Sequence, residues 1–153
     1  MSEPAAYYRP PGPIVRRLMN PFVEGLTRAG VSVWGSRVLE VKGRRSGLAR
    51  RTPVNLLQVD GRRYLVAPRG DCQWVRNARS DGGRLTLLLG RKREAMVAEE
   101  LVDSEKPPIL RAYLRKWRME VGVFFDGVTA DSTEEDVLRI AGNHPVFVLS
   151  DAS

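Results

Sequence analysis

Between residues 37 and 101 the sequence divides into five short strand-like runs. They are RVLEVK at 37–42, TPVNLLQV at 52–59, RYLVA at 63–67, LTLLL at 85–89 and EAMVAEEL at 94–101. Each is bounded by residues that favour turns, as expected of strands and not of long helices. Asp60-Gly61 separates the second run from the third, and glycine there supplies the positive φ that a tight hairpin needs. Asp81-Gly82-Gly83 marks a further loop, and PVFVL at 145–149 supplies a sixth strand. Strands that follow one another through hairpins pair antiparallel, and five or six of them can close into a small barrel.

Helical periodicity flanks this block. Ile14, Val15, Leu18, Met19, Phe22, Val23 and Leu26 recur at three- and four-residue spacing over 14–29, with an interruption or restart at Asn20-Pro21 and a stop at Gly30. Residues 72–79 form a short helix carrying Trp74 and Asn77, and helical patterns return at 107–118 and 133–141. Ser132, with Glu135 three residues on, reads as the capping box of the last one. Residues 1–12, rich in proline and tyrosine, read as a flexible arm ahead of a single domain over 13–151. The expected class is α+β, a mainly antiparallel barrel with flanking helices.

Composition narrows the partners. A chain of 153 residues, 42% hydrophobic and 28% charged, can bury the core of one domain and is not compositionally disordered. No apolar run approaches the roughly 20 residues of a membrane span, and the first residues lack a secretion-signal pattern. A cytoplasmic location follows as the expectation. The basic amphipathic helix at 14–29 leaves peripheral membrane contact as an alternative to packing on its own core. A single cysteine, Cys72, allows no internal disulfide, and a single histidine, His144, removes the usual zinc-site patterns. No metal is expected, and His144 reads as structural. No Walker loop, dinucleotide fingerprint or nucleophile elbow is present.

The charge is uneven. Residues 1–93 carry 19 basic and 6 acidic side chains, whereas 94–153 carry 6 basic and 12 acidic. Arginine supplies 21 of the 25 cations, and its planar fork suits phosphate and carboxylate. The densest stretch is Gly43-Arg44-Arg45-Ser46-Gly47-Leu48-Ala49-Arg50-Arg51-Thr52-Pro53-Val54, between the first two strands. Two glycines permit a tight turn, Ser46 adds a hydroxyl, and exposed turn amides can cradle an anion. The competing reading is a solvated basic turn. A nucleic-acid binder is disfavoured because no aromatic side chain is interleaved with the arginines at 44–51.

GRRSGLARRTPV, followed by DGRRYLVAPRG and then the W-x-x-N of Trp74 and Asn77, resembles the deazaflavin-dependent nitroreductase and quinone reductase family of actinobacteria. MNPFVEGLTRAG near the start and HPVF near the end resemble the same family. The resemblance implies a split β-barrel of the pyridoxamine-phosphate-oxidase type. It also implies the coenzyme F-420, an 8-hydroxy-5-deazaflavin whose tail carries a phosphodiester and several glutamates. By position in the motif, Arg44, Arg45, Ser46, Gly47 and Arg50 would hold phosphate and tail. Thr52, Pro53 and Val54 would line the ring, and Ala67, Pro68, Arg69 and Gly70 would form a second cofactor loop. Trp74 and Asn77 would close the pocket, although a tryptophan there serves equally as a core anchor and an asparagine as a turn cap.

The sequence departs from the family pattern at Pro68, which has no amide to donate, and at Asn55, where some members carry a substrate-side tyrosine. The C-terminal tyrosines of nitroimidazole-reducing members are absent, and Trp34, Trp117, Phe124 and Phe125 are the candidates for an aromatic substrate wall, though they serve just as easily as core residues. The activity implied is hydride transfer from the reduced coenzyme to a small electron-poor acceptor: a quinone, an activated alkene or a nitro-compound. No catalytic acid stands out. Alternatives are an FMN- or haem-binding protein on the same barrel and a non-catalytic coenzyme carrier. A monomer and a homodimer are both compatible with the sequence.

Overall fold

The computed structural model describes residues 36–152. The helix expected at 14–29, the arm at 1–12 and Trp34 lie outside the described residues. Six strands form the framework: β1 (Ser36–Lys42), β2 (Ala49–Val59), β3 (Arg62–Val66), β4 (Arg84–Leu89), β5 (Lys92–Glu100) and β6 (Val146–Asp151). Among the described residues three α-helices accompany them: α1 (Gln73–Ser80), α2 (Pro107–Val121) and α3 (Glu134–Ala141). The strands close into a barrel in the order β1-β2-β3-β6-β5-β4, and every ladder is antiparallel. The last strand is inserted between β3 and β5, so sequence neighbours alone do not complete the ring.

The β2–β3 turn follows from Asp60-Gly61. Both residues have positive φ, 50° and 78°, the pair of values a two-residue hairpin turn with matching twist requires. Gly83 is needed for a different reason. Its φ is +83°, and a Cβ there would collide with the carbonyl of Ala98, to which its backbone packs directly.

Side-chain alternation along the strands builds two cores. One face fills the barrel with Leu39, Val54, Leu56, Leu65, Leu87, Met96 and Phe147, and α1 closes this core with Trp74, Val75 and Ala78. Trp74 packs on Phe147 with ring centroids 5.6 Å apart. The opposite face of β2, β3 and β6 presents Leu57, Tyr64, Val66 and Val146 to α2 and α3. Leu56 and Leu57, adjacent in sequence, belong to different cores because successive strand residues point to opposite sides.

Two local expectations change. The cap of α3 is Thr133, not Ser132: Thr133 is extended and its Oγ1 accepts from the Asp136 amide at 3.1 Å. Ser132 is occupied one turn earlier, where its Oγ accepts from the Thr129 amide at 2.8 Å. Helix α2 continues past residue 118 through a kink at Trp117, whose φ of −123° is not helical.

Candidate functional site: an arginine-lined groove

The β2–β3 ladder covers only Leu56–Val59, so the first half of β2 runs on with β1 and beyond β3. Pro53 sits in this half, where a missing amide interrupts no β3 ladder. Along this stretch the β1–β2 turn, the segment after β3 and α1 enclose a groove of about 620 Å³. Its buried floor includes Val41, Cys72, Trp74 and Asn77, and its rim carries exposed Arg45, Ser46 and Arg50.

The β1–β2 turn is held by its own backbone. The Gly43 amide donates to the Leu48 carbonyl and the Gly47 amide to the Gly43 carbonyl, both at 2.8 Å. Gly47 has φ +72°, and a Cβ on Gly43 would stand 2.8 Å from Ser46 Oγ, closer than side chains tolerate. Ser46 Oγ accepts from the Leu48 amide at 3.2 Å. On the other side, the segment after β3 turns on Gly70, at φ 93°, whose amide reaches the Ala67 carbonyl at 3.2 Å. Pro68 therefore costs this turn nothing, because its closing donor is Gly70.

Six arginines line the groove, and no carboxylate does among the described residues: Arg44, Arg45, Arg50, Arg51, Arg69 and Arg76. Arg51 donates to Glu40 at 2.9 Å, and Arg93 donates to the same carboxylate at 2.8 Å. Burial pushes Glu40 up, but these two guanidiniums outweigh it and hold the carboxyl below its ordinary range. Arg44 is turned inward onto Gln73 Oε1 at 2.9 Å and Asn77 Oδ1 at 2.8 Å. The side chains of Arg45, Arg50, Arg69 and Arg76 make no hydrogen bond or ion pair among the described residues. Four unpaired cations around one concavity raise the local concentration of anions.

The acids beside the groove are committed elsewhere. Arg79 binds Asp71 at 2.9 Å and Glu100 at its other amine, which ties the segment before α1 to β5. His144, 1% exposed, stacks on Phe125 with centroids 4.1 Å apart. Burial lowers His144 to about 4 despite hydrogen bonding to the backbone of Pro68 and Ala67, and the nearby Lys106 adds to the lowering. It is a neutral support beneath the second loop. Burial pushes the Cys72 thiol up, so it remains protonated at neutral pH.

Of the residues singled out in the sequence, Arg44, Arg45, Ser46, Arg50, Thr52, Arg69, Trp74 and Asn77 come together around the groove. Val54 and Ala67 instead face the barrel interior, and Gly47 borders a smaller cavity of about 340 Å³. Pro53, Asn55, Pro68 and Gly70 do not line the groove. Trp117, Phe124 and Phe125 form no substrate wall: they are 2%, 3% and 0% exposed in the core under α2 and α3. Gln73 and Arg76 were not singled out in the sequence. Their signal is helical spacing, since residues 73, 76 and 77 share one face of α1.

The family model for F420H(2)-dependent quinone reductase matches residues 15–125. The chain belongs to this family. Among solved structures, this quinone reductase family member is similar to the F420-H2 dependent reductase FDR-A, at 17% identity over 76% of this chain and 94% of that one, with a TM-score of 0.53. It is similar to a putative pyridoxamine 5′-phosphate oxidase from Listeria innocua at 14% identity, over 78% and 85% of the two chains, with a TM-score of 0.51. A structure described as a domain-swapped dimer matches at 20% identity over 89% and 96%, with a TM-score of 0.53. These likenesses establish the split-barrel fold. No curated protein matches in sequence.

Proposed function

We propose that this protein binds the reduced deazaflavin coenzyme in the arginine-lined groove and reduces an electron-poor acceptor, with quinones as the first class to test. The observation that carries the reading is the set of four unpartnered guanidiniums, with no opposing carboxylate, in a groove of a family named for this coenzyme. The donor set suits the ligand's two parts. Arg45, Arg50, Arg69 and Arg76 match an anionic phosphodiester and glutamate tail, while Val41, Thr52 and Trp74 offer a less polar inner surface for a flat ring.

When bound, the reduced deazaflavin supplies the hydride. The protein's share is placement. The arginines neutralise the tail, the glycine turn lets backbone approach it, and α1 fixes the inner surface against the barrel core. An exposed guanidinium contributes on the order of 1 kcal/mol to such an ion pair, more where the ligand displaces its water. A homodimer is proposed with it, on the strength of the domain-swapped relative, and light scattering tests it.

The test is a titration of the purified protein with oxidised deazaflavin coenzyme, beside FMN. Preferential binding of the deazaflavin, followed by coenzyme-dependent quinone reduction, is expected. No binding, or preference for FMN, overturns the assignment.

A further inference from the structure

Asn77 is the residue on which two elements meet. It is 5% exposed, on α1, yet its Oδ1 accepts both the Arg44 backbone amide at 3.1 Å and the Arg44 guanidinium at 2.8 Å. The same guanidinium bonds Gln73 Oε1 at 2.9 Å, one helical turn away on the same side of α1. These three side-chain contacts join residues 44, 73 and 77, across the groove floor. The turn's internal hydrogen bonds fix its shape but not its position against α1.

We infer that Asn77 is a positioning residue which, through Arg44, docks the basic β1–β2 turn onto α1. The arginines of the motif then divide by task. Arg44 is an internal strut, while Arg45 on the docked turn and Arg50 at the start of β2 line the groove together with Arg69 and Arg76. The inference rests on the proposed coenzyme site for its functional meaning, but the docking itself is testable on the free protein.

The chemistry separates this role from direct contact. A ligand role for Asn77 uses its amide N–H as a donor to an anion, and aspartate at that position would repel the same anion. A docking role uses the carboxamide oxygen as an acceptor, and aspartate keeps that acceptor and pairs with Arg44. The order of the variants therefore reverses between the two roles.

The experiment compares Asn77→Ala and Asn77→Asp with the unsubstituted protein by two readouts. In the free protein, hydrogen exchange at the Arg44 amide should accelerate about tenfold in Asn77→Ala and recover in Asn77→Asp, as expected for one partly buried hydrogen bond lost and restored. In the coenzyme titration, Asn77→Asp should bind more tightly than Asn77→Ala. Equal exchange in all three proteins, or weaker binding by Asn77→Asp than by Asn77→Ala, overturns the inference. If Asn77→Ala does not fold, Gln73→Ala with Arg44→Met replaces it, and unchanged exchange at residues 43–48 in that pair is the overturning result. Failure of the unsubstituted protein to bind the coenzyme would sink the functional proposal alone, since the exchange comparison needs no ligand.

Discussion

An arginine's usefulness for binding depends on what already holds it. Arg51 shares Glu40 with Arg93, and Arg79 is divided between Asp71 and Glu100, so neither can turn to a ligand without breaking an ion pair. Arg50 and Arg76 carry no such debt. Arg50→Ala and Arg76→Ala should each weaken deazaflavin binding roughly two- to tenfold, the range for exposed to partly shielded charge pairs, with a smaller loss for Arg51→Ala. Fluorescence titration of the three variants checks the order. His144 makes a second residue-scale case. Unfolded, it titrates near 6.5, and folded near 4. Between those values the unfolded chain takes up a proton that the folded protein refuses. The contribution is therefore complete above pH 6.5 and is lost as the pH falls toward 4, to a limit of about 3 kcal/mol. Urea midpoints measured across that window should fall with pH, and His144→Gln should flatten the fall.

At the scale of elements, turns and caps carry specific demands. Gly83→Ala should destabilise by about 2 kcal/mol or more, since it adds both backbone strain at φ +83° and a collision with the Ala98 carbonyl. Thr133→Ala should cost about 1 kcal/mol by removing the cap of α3, whereas Ser132→Ala leaves that cap in place. Denaturant melts of the three variants separate these effects. The hairpin at Asp60-Gly61 was legible because its residues are required by local backbone geometry. The start of β2 was not. Ala49, Arg50 and Arg51 are exposed and show no apolar alternation, and only their pairing with Glu40, Val41 and Lys42 of β1 makes them strand. The basic turn of the groove could be read directly from residues 43–52, and the family resemblance pointed to Arg69, Trp74 and Asn77 of its opposing wall, but Gln73 and Arg76 of that wall could not be read. Gln73 and Arg76 depend on how α1 seats in the barrel mouth, a tertiary fact. Trp117, Phe124 and Phe125 were open to two readings, an aromatic wall or core, and the second core contains all three.

Across the whole molecule, the barrel side with its groove is basic, and α3 opens with Glu134, Glu135 and Asp136. An anionic ligand is thus drawn to one side of the protein. Coenzyme affinity should fall as salt rises from low to physiological levels, because the screening length shortens to about 8 Å at 0.15 M. Arg50→Ala should show a shallower salt dependence than the unsubstituted protein. Isothermal titration at several ionic strengths measures both slopes, and equal slopes would argue against tail binding at Arg50.

Helix α1 is sealed into the barrel by Trp74, Val75 and Ala78 and borders the groove with Gln73, Arg76 and Asn77. A single eight-residue segment is thus both lid of the hydrophobic interior and wall of the arginine-lined groove. Occupancy and melting are linked through it: a ligand at a hundred times its dissociation constant should add about 2.7 kcal/mol to global stability. The protein can therefore act as its own thermometer. A screen of acceptors and coenzymes could be run by heating alone, with no chromophore and no turnover required.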